Sequence, residues 1–350
     1  MHIVTRVVIT AACLAAAPAA GQDPRLNVRV VTDEADAVLH ILELRAAGRA
    51  PQDEDWQRLF ATEGYRRLQQ REHSLQRPFE DSTFRSFVMS DSLLAHATAL
   101  RTTLEQWRTI DANAAARRAF AYLPQHAVIR ARVYPVIKPR DNSFVFEPRT
   151  NPAIFLYLDP SLGSAKFENT LAHELHHIGM ANACSAVRKD PATPAGVQDA
   201  LDWMGAFAEG LAMLAAAGSA DVHPHAASDA RERAIWERDI ANVTEDMRRM
   251  EQFYLQLIDG ALTEEEATQR GFGFINTDSV PQGPFYTLGW LMASTIEQVH
   301  GRAALVASTC DPRTLLSDYQ RAARQIARRS GRSLPLWSDV LLRRIGAGGF

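Results

Sequence analysis

The chain has 350 residues, 46% of them apolar and 23% charged, a composition that excludes wholesale disorder and fibrous repeats. With 38 Lys and Arg against 41 Asp and Glu the formal net charge is -3, so the basic footprint of a nucleic-acid binder is absent. The length fits one or two domains.

Residues 1–21 read MHIVTRVVITAACLAAAPAAG: one positive charge at Arg6, an apolar run over 7–17, then small residues suited to cleavage. This is the pattern of a secretory signal peptide, and the run is short for a bilayer span. The sequence therefore predicts export, to the periplasm or the medium. Beyond the leader no other stretch of 18 apolar residues stands out, so the mature protein is expected to have no stable membrane span. Two cysteines then remain, Cys184 and Cys310. In an oxidising compartment they either pair as a disulfide or stay as two separate buried thiols.

Helical spacing covers 34–46 and 53–72, where Trp56, Leu59, Phe60 and Tyr65 lie near one face. It resumes over 91–110, with Asp91 as the expected N-cap. Between about 126 and 158 the texture changes. HAVIRARVYPVI, SFVFEP and AIFLYLDP are short, β-branched and aromatic, and are separated by Pro, Asn and Gly. They predict a small antiparallel sheet. From 164 the pattern is helical again, over 165–181, 197–217, 226–258, 285–300, 314–328 and 335–345, with Pro- and Gly-rich loops at 188–196 and 271–284. The expected class is α+β, predominantly helical. Residues 22–125 read as an N-terminal helical region and 126–350 as the region that holds the chemistry; the two form either separate domains or one continuous domain.

The 165–181 helix contains His173-Glu174-Leu175-His176-His177. Positions i and i+4 share a helix face, so His173 and His177 can aim imidazole nitrogens at one ion, with Glu174 about 100° round the helix beside it. Phe167, Leu171, Leu175 and Ile178 form the opposite, apolar stripe. Thirty-two residues after His177, Glu209 interrupts WMGAFAEGLAMLAAAG, the most apolar helix of the mature chain. A carboxylate there is costly to bury unless it is paired or binds a metal. Gly205, Ala208, Gly210 and Ala212 are small enough to let this helix approach the motif helix closely. Zinc held by His173, His177 and Glu209 is the expected centre.

HELHH followed by AEGLA (208–212) resembles the gluzincin division of the zincin metallopeptidases, and bacterial zinc-dependent peptidases whose second helix carries E-G-x-A. The resemblance covers roughly 125–300. It implies a zincin-like fold with an antiparallel sheet before the motif helix and helices after it, one zinc ion, and a peptide or protein substrate. His173, His177 and Glu209 then take the ligand roles and Glu174 that of general base. A zincin usually adds a Tyr or His that stabilises the oxyanion, and Tyr286 in GPFYTLGW is the residue expected here. The resemblance further implies that AIFLYL (153–158) is an edge strand able to pair with extended substrate. One position departs from the thermolysin-like pattern: the Asp expected four residues after the ligand Glu is Met213, which leaves Asp202 as the acceptor available to orient a ligand. His223 and His225 in DVHPH read as a surface turn and His300 as solvated or structural. The acidic TEEEA (263–267) and the Arg-rich 321–344 read as solvated faces. The same pattern also admits a non-catalytic helical binding protein or a degenerate zincin with a structural metal, and a hydrolase acting on a non-peptide amide.

Overall fold

The computed structural model describes residues 23–184, 191–276 and 282–348; the leader at 1–21 lies outside the described residues. Four strands form one sheet: β1 (Leu26–Val30), β2 (Ile129–Val136), β3 (Phe144–Phe146) and β4 (Ala153–Tyr157), in the order β1-β2-β4-β3. β1 runs parallel to β2, with Leu26 opposite Ile129, and β2 parallel to β4, with Arg132 opposite Ala153. Only β3 is antiparallel, pairing Phe144 with Phe155. The sheet is therefore mixed, which corrects the antiparallel expectation. The punctuation between 137 and 152 marks turns correctly, but just one of them closes a hairpin. β1, a short run about a hundred residues upstream, lies outside the strand region that the sequence predicts.

Alternation decides what each face of the sheet touches. Ile129, Ala131 and Val133 of β2 and Ile154 and Leu156 of β4 point into the larger core. Tyr134, Val136, Ala153 and Phe155 point to the other side and meet Leu68. Both faces are covered, as parallel pairing requires.

The larger core is completed by the helix Asp33–Ala46, by Leu104 and Trp107, and by the motif helix Ser164–Ala183. The stripe read from the sequence is the buried one: Phe167, Leu171, Leu175 and Ile178 are at most 1% exposed. A second core is built from the helices Ala195–Met204, Ala208–Ala217, Val243–Ile258, Pro284–His300 and Pro312–Ser330, with Phe207, Tyr254, Phe285, Tyr319 and Trp337 fully buried in it. A disulfide between Cys184, which ends the motif helix, and Cys310 staples the two halves together.

Several predicted helices are divided by caps. The 53–72 stretch breaks at Thr62, whose hydroxyl accepts from the Tyr65 amide. The 91–110 stretch starts at Ser90 rather than Asp91, since the Ser90 hydroxyl receives the Leu93 amide. Asn242 divides the 226–258 stretch. The helices Asp81–Val88, Ala112–Phe120, Glu264–Gly273 and Arg302–Ser308 have no counterpart among the predicted elements; each has ten residues or fewer, too few for periodicity to show. Among the described residues one segment, Ala195–Ala217, is long and apolar enough to cross a membrane by length and composition, although Asp199, Asp202 and Glu209 interrupt it. Most of it is buried inside the molecule.

Candidate metal centre

The centre sits where the two cores meet. Burying the Leu171–Leu175 side of the motif helix turns His173, Glu174 and His177 away from the larger core, and all three are half-buried. Opposite them, a single 3-10 turn (Gly205–Phe207) leads into the helix Ala208–Ala217 and sets Glu209 in its first turn. Gly210 does not face the motif helix, as the small-residue argument supposed. A Cβ at Gly210 would lie 2.1 Å from the Trp290 amide nitrogen and 2.5 Å from the Gly289 Cα. The close approach is thus to the helix Pro284–His300, and it brings Tyr286 to the same place as Glu209.

His173 Nε2 and His177 Nε2 lie 3.2 and 3.1 Å from Glu209 Oε2, and 3.1 Å from each other. Among the described residues this is the one group of three or more His, Cys, Asp or Glu side chains arranged to hold a metal ion. Zinc with nitrogen and oxygen ligands at about 2.0–2.2 Å in a tetrahedron separates its ligand atoms by roughly 3.3 Å, close to the spacings found. A zinc ion held by three protein donors would keep one further position for water. The donor set fits the ion.

The electrostatics agree with that reading. Burial disfavours charge on Glu209, yet the two imidazoles beside it hold its carboxyl well below the ordinary range. Burial pushes His177 down, but the Glu209 carboxylate prevails and takes it up to about 9. Burial raises Glu174, with Glu209 adding to the rise and the two ligand histidines opposing it.

Tyr286 stands in the first turn of the helix Pro284–His300, and its ring stacks on His173 with centroids 6.2 Å apart and planes within 10°. Burial, then the Glu209 and Glu174 carboxylates, raise its phenol far above the usual range, so it stays a proton donor. The five residues singled out from the sequence therefore converge.

Others do not. Asp202 accepts from Gln198 on its own helix and lies outside the cluster. Cys184 is committed to the disulfide and His300 ends its helix exposed to solvent. AIFLYL is not an edge: β4 is paired on both sides, and the antiparallel edge belongs to β3. The DVHPH segment (221–225) is not a bare surface turn. His225 is 4% exposed and hydrogen-bonded through both nitrogens, while His223 stays half-exposed near Glu237. Sequence reasoning missed Lys166, Ser228 and Gln282, which join His225 beside the centre; the one sign was that Lys166 precedes His173 by seven residues and so shares its face.

Residues 56–328 match the model of a family described as "Putative zinc dependent peptidase (DUF5700)". No curated protein and no solved structure matches the chain.

Proposed function

The chain belongs to the DUF5700 family, and from that premise we propose that it is an exported zinc metallopeptidase. Residues 126–350 carry its chemistry, with His173, His177 and Glu209 holding one zinc ion. The observation that carries the reading is the near-tetrahedral spacing of three donors on two packed helices, with an unused carboxylate and a phenol beside them. The signal-peptide pattern at 1–21 supports export, and the Cys184–Cys310 bond fits an oxidising compartment.

Zinc bound there supplies Lewis acidity towards a carbonyl oxygen and makes water more acidic. Glu174 accepts the proton of the attacking water on a carboxylate oxygen and returns it to the leaving amine. Its raised affinity for a proton, a consequence of burial, suits both halves of that task. The Tyr286 hydroxyl, held neutral, donates to the oxygen that becomes negative as the carbonyl is attacked. Of the two edge strands, β1 and β3, the antiparallel β3 is the one proposed to take an extended peptide.

The test compares the wild type with Glu174→Gln and Glu209→Ala by metal content and by cleavage of a peptide library. Wild type is expected to hold about one zinc and to lose cleavage on chelation. Glu174→Gln keeps the zinc and loses about 10²–10⁴-fold in turnover, the usual worth of a general base. Glu209→Ala loses both. Metal-free wild type without chelator-sensitive cleavage overturns the proposal, and unchanged activity in Glu174→Gln returns the protein to the non-catalytic reading.

A further inference from the structure

A chain of side chains runs beside the metal centre and ties together the three helices that build it. Lys166 lies two turns before His173 on the same face of the motif helix. Its ammonium donates to Ser228 Oγ at 2.7 Å and pairs with Glu232 at 2.7 Å. Ser228 Oγ lies 2.9 Å from His225 Nδ1, and His225 Nε2 lies 2.6 Å from Gln282 Oε1. The Gln282 amide reaches the sulfur of Met213 at 3.8 Å, one turn beyond Glu209. Gln282 immediately precedes Gly283, the N-cap of the helix whose first turn carries Tyr286.

With the imidazole neutral, the donor inventory permits an arrangement of protons that satisfies every link of this chain. An ammonium has only hydrogens to give, so the Ser228 oxygen accepts from Lys166 and sends its own hydrogen to His225 Nδ1. The imidazole is then neutral with its hydrogen on Nε2, which donates to Gln282 Oε1. This leaves the Gln282 NH₂ to meet Met213. Trp236 covers the ring, with centroids 5.2 Å apart. The charged groups facing His225 are Lys166, which opposes a second positive charge, Glu232, which favours one, and the neighbouring His223, which opposes it. With burial the largest influence, the imidazole is pushed down to about 4 and stays neutral at ordinary pH.

We propose that His225 is a positioning residue for Tyr286. In its neutral form, with the hydrogen on Nε2, it latches Gln282, and so the first turn of the Tyr286 helix, to both helices that carry the metal-binding side chains. Met213 thereby occupies a structural place in the site. The role given to Tyr286 rests on the peptidase reading; the latch itself does not.

Two measurements on the intact, zinc-loaded protein test this. In His225→Ala, backbone amides at 286–290 are expected to exchange hydrogen at least about fivefold faster than in wild type, with zinc content and exchange at 171–178 and 210–214 unchanged. On a peptide substrate the variant is expected to lose about tenfold in kcat with KM unchanged. The loss should vanish in a Tyr286→Phe background, where the double variant stays within about twofold of Tyr286→Phe alone. Unchanged exchange at 286–290, faster exchange spread over the metal-binding helices, or losses that multiply independently would each overturn the proposal. Wild type without chelator-sensitive cleavage removes the peptidase reading alone, and the exchange result then decides the latch by itself.

Discussion

His176 sits between Leu175 and the ligand His177 and is fully buried. The Tyr122 backbone lies beside it, yet neither ring nitrogen has a well-formed hydrogen bond. Burial, then the neighbouring His177 and His173, push it down to about 3, below the 6.5 of an unfolded histidine. Between those values the unfolded chain takes up a proton that the folded chain refuses. Stability from this site is therefore fully present above pH 6.5 and drains as pH falls towards 3, by roughly a few kcal/mol. In the metal-free protein His176→Leu is expected to flatten the acid side of the stability curve without loss at pH 7, since an unpartnered buried nitrogen costs more than a methyl group. Urea unfolding at pH 7 and pH 4 decides it; parallel curves for the two proteins would count against the argument. Tyr286 allows a separate test. Its hydroxyl is given a role in turnover and none in metal binding, so Tyr286→Phe is expected to keep zinc and lose about 10²-fold in kcat, the usual worth of one such donor.

At the scale of elements, the centre depends on the backbone contact between the helices Ala208–Ala217 and Pro284–His300. A Cβ at Gly210 lands on the backbone of Gly289 and Trp290, neither of which can yield as a flexible side chain would. Gly210→Ala is expected to destabilise by about 1–3 kcal/mol, as overpacking does, and to weaken zinc binding by shifting Glu209. Gly205, five residues earlier at φ -55 with nothing within 4 Å of an added Cβ, provides the control. Gly205→Ala is expected to be neutral or to stabilise by up to about 1 kcal/mol. Thermal melts and zinc titrations of the two variants separate them. The pair also shows how far elements can be read from a sequence. The motif helix, its buried stripe and the small residues before and after Glu209 are legible because helical periodicity is local. Which helix the glycine faces is not, because Gly210 looks the same whatever packs on it.

For the whole molecule, the site lies on a seam: the motif helix packs into one core and the helices that carry Glu209 and Tyr286 pack into the other. The Cys184–Cys310 bond crosses that seam and closes a loop of 126 residues. In the chain-entropy account such a link is worth up to about 5 kcal/mol, so reduction or Cys310→Ser should lower the denaturant midpoint substantially. An unchanged midpoint after complete reduction would sink that expectation. The sequence by itself determined what is local and chemical: the helical class, three of the four strands, and the HELHH and AEGLA residues that converge at the centre. These follow from side-chain spacing and from the cost of burying a carboxylate in an apolar helix. Only the tertiary structure decided the parallel pairing of β1 with β2, the interior place of β4, the burial of His225 with Lys166 and Gln282, and the partner of Gly210. Each of those is a contact between distant segments, set by how complementary surfaces pack, and a one-dimensional pattern carries no record of which surface meets which.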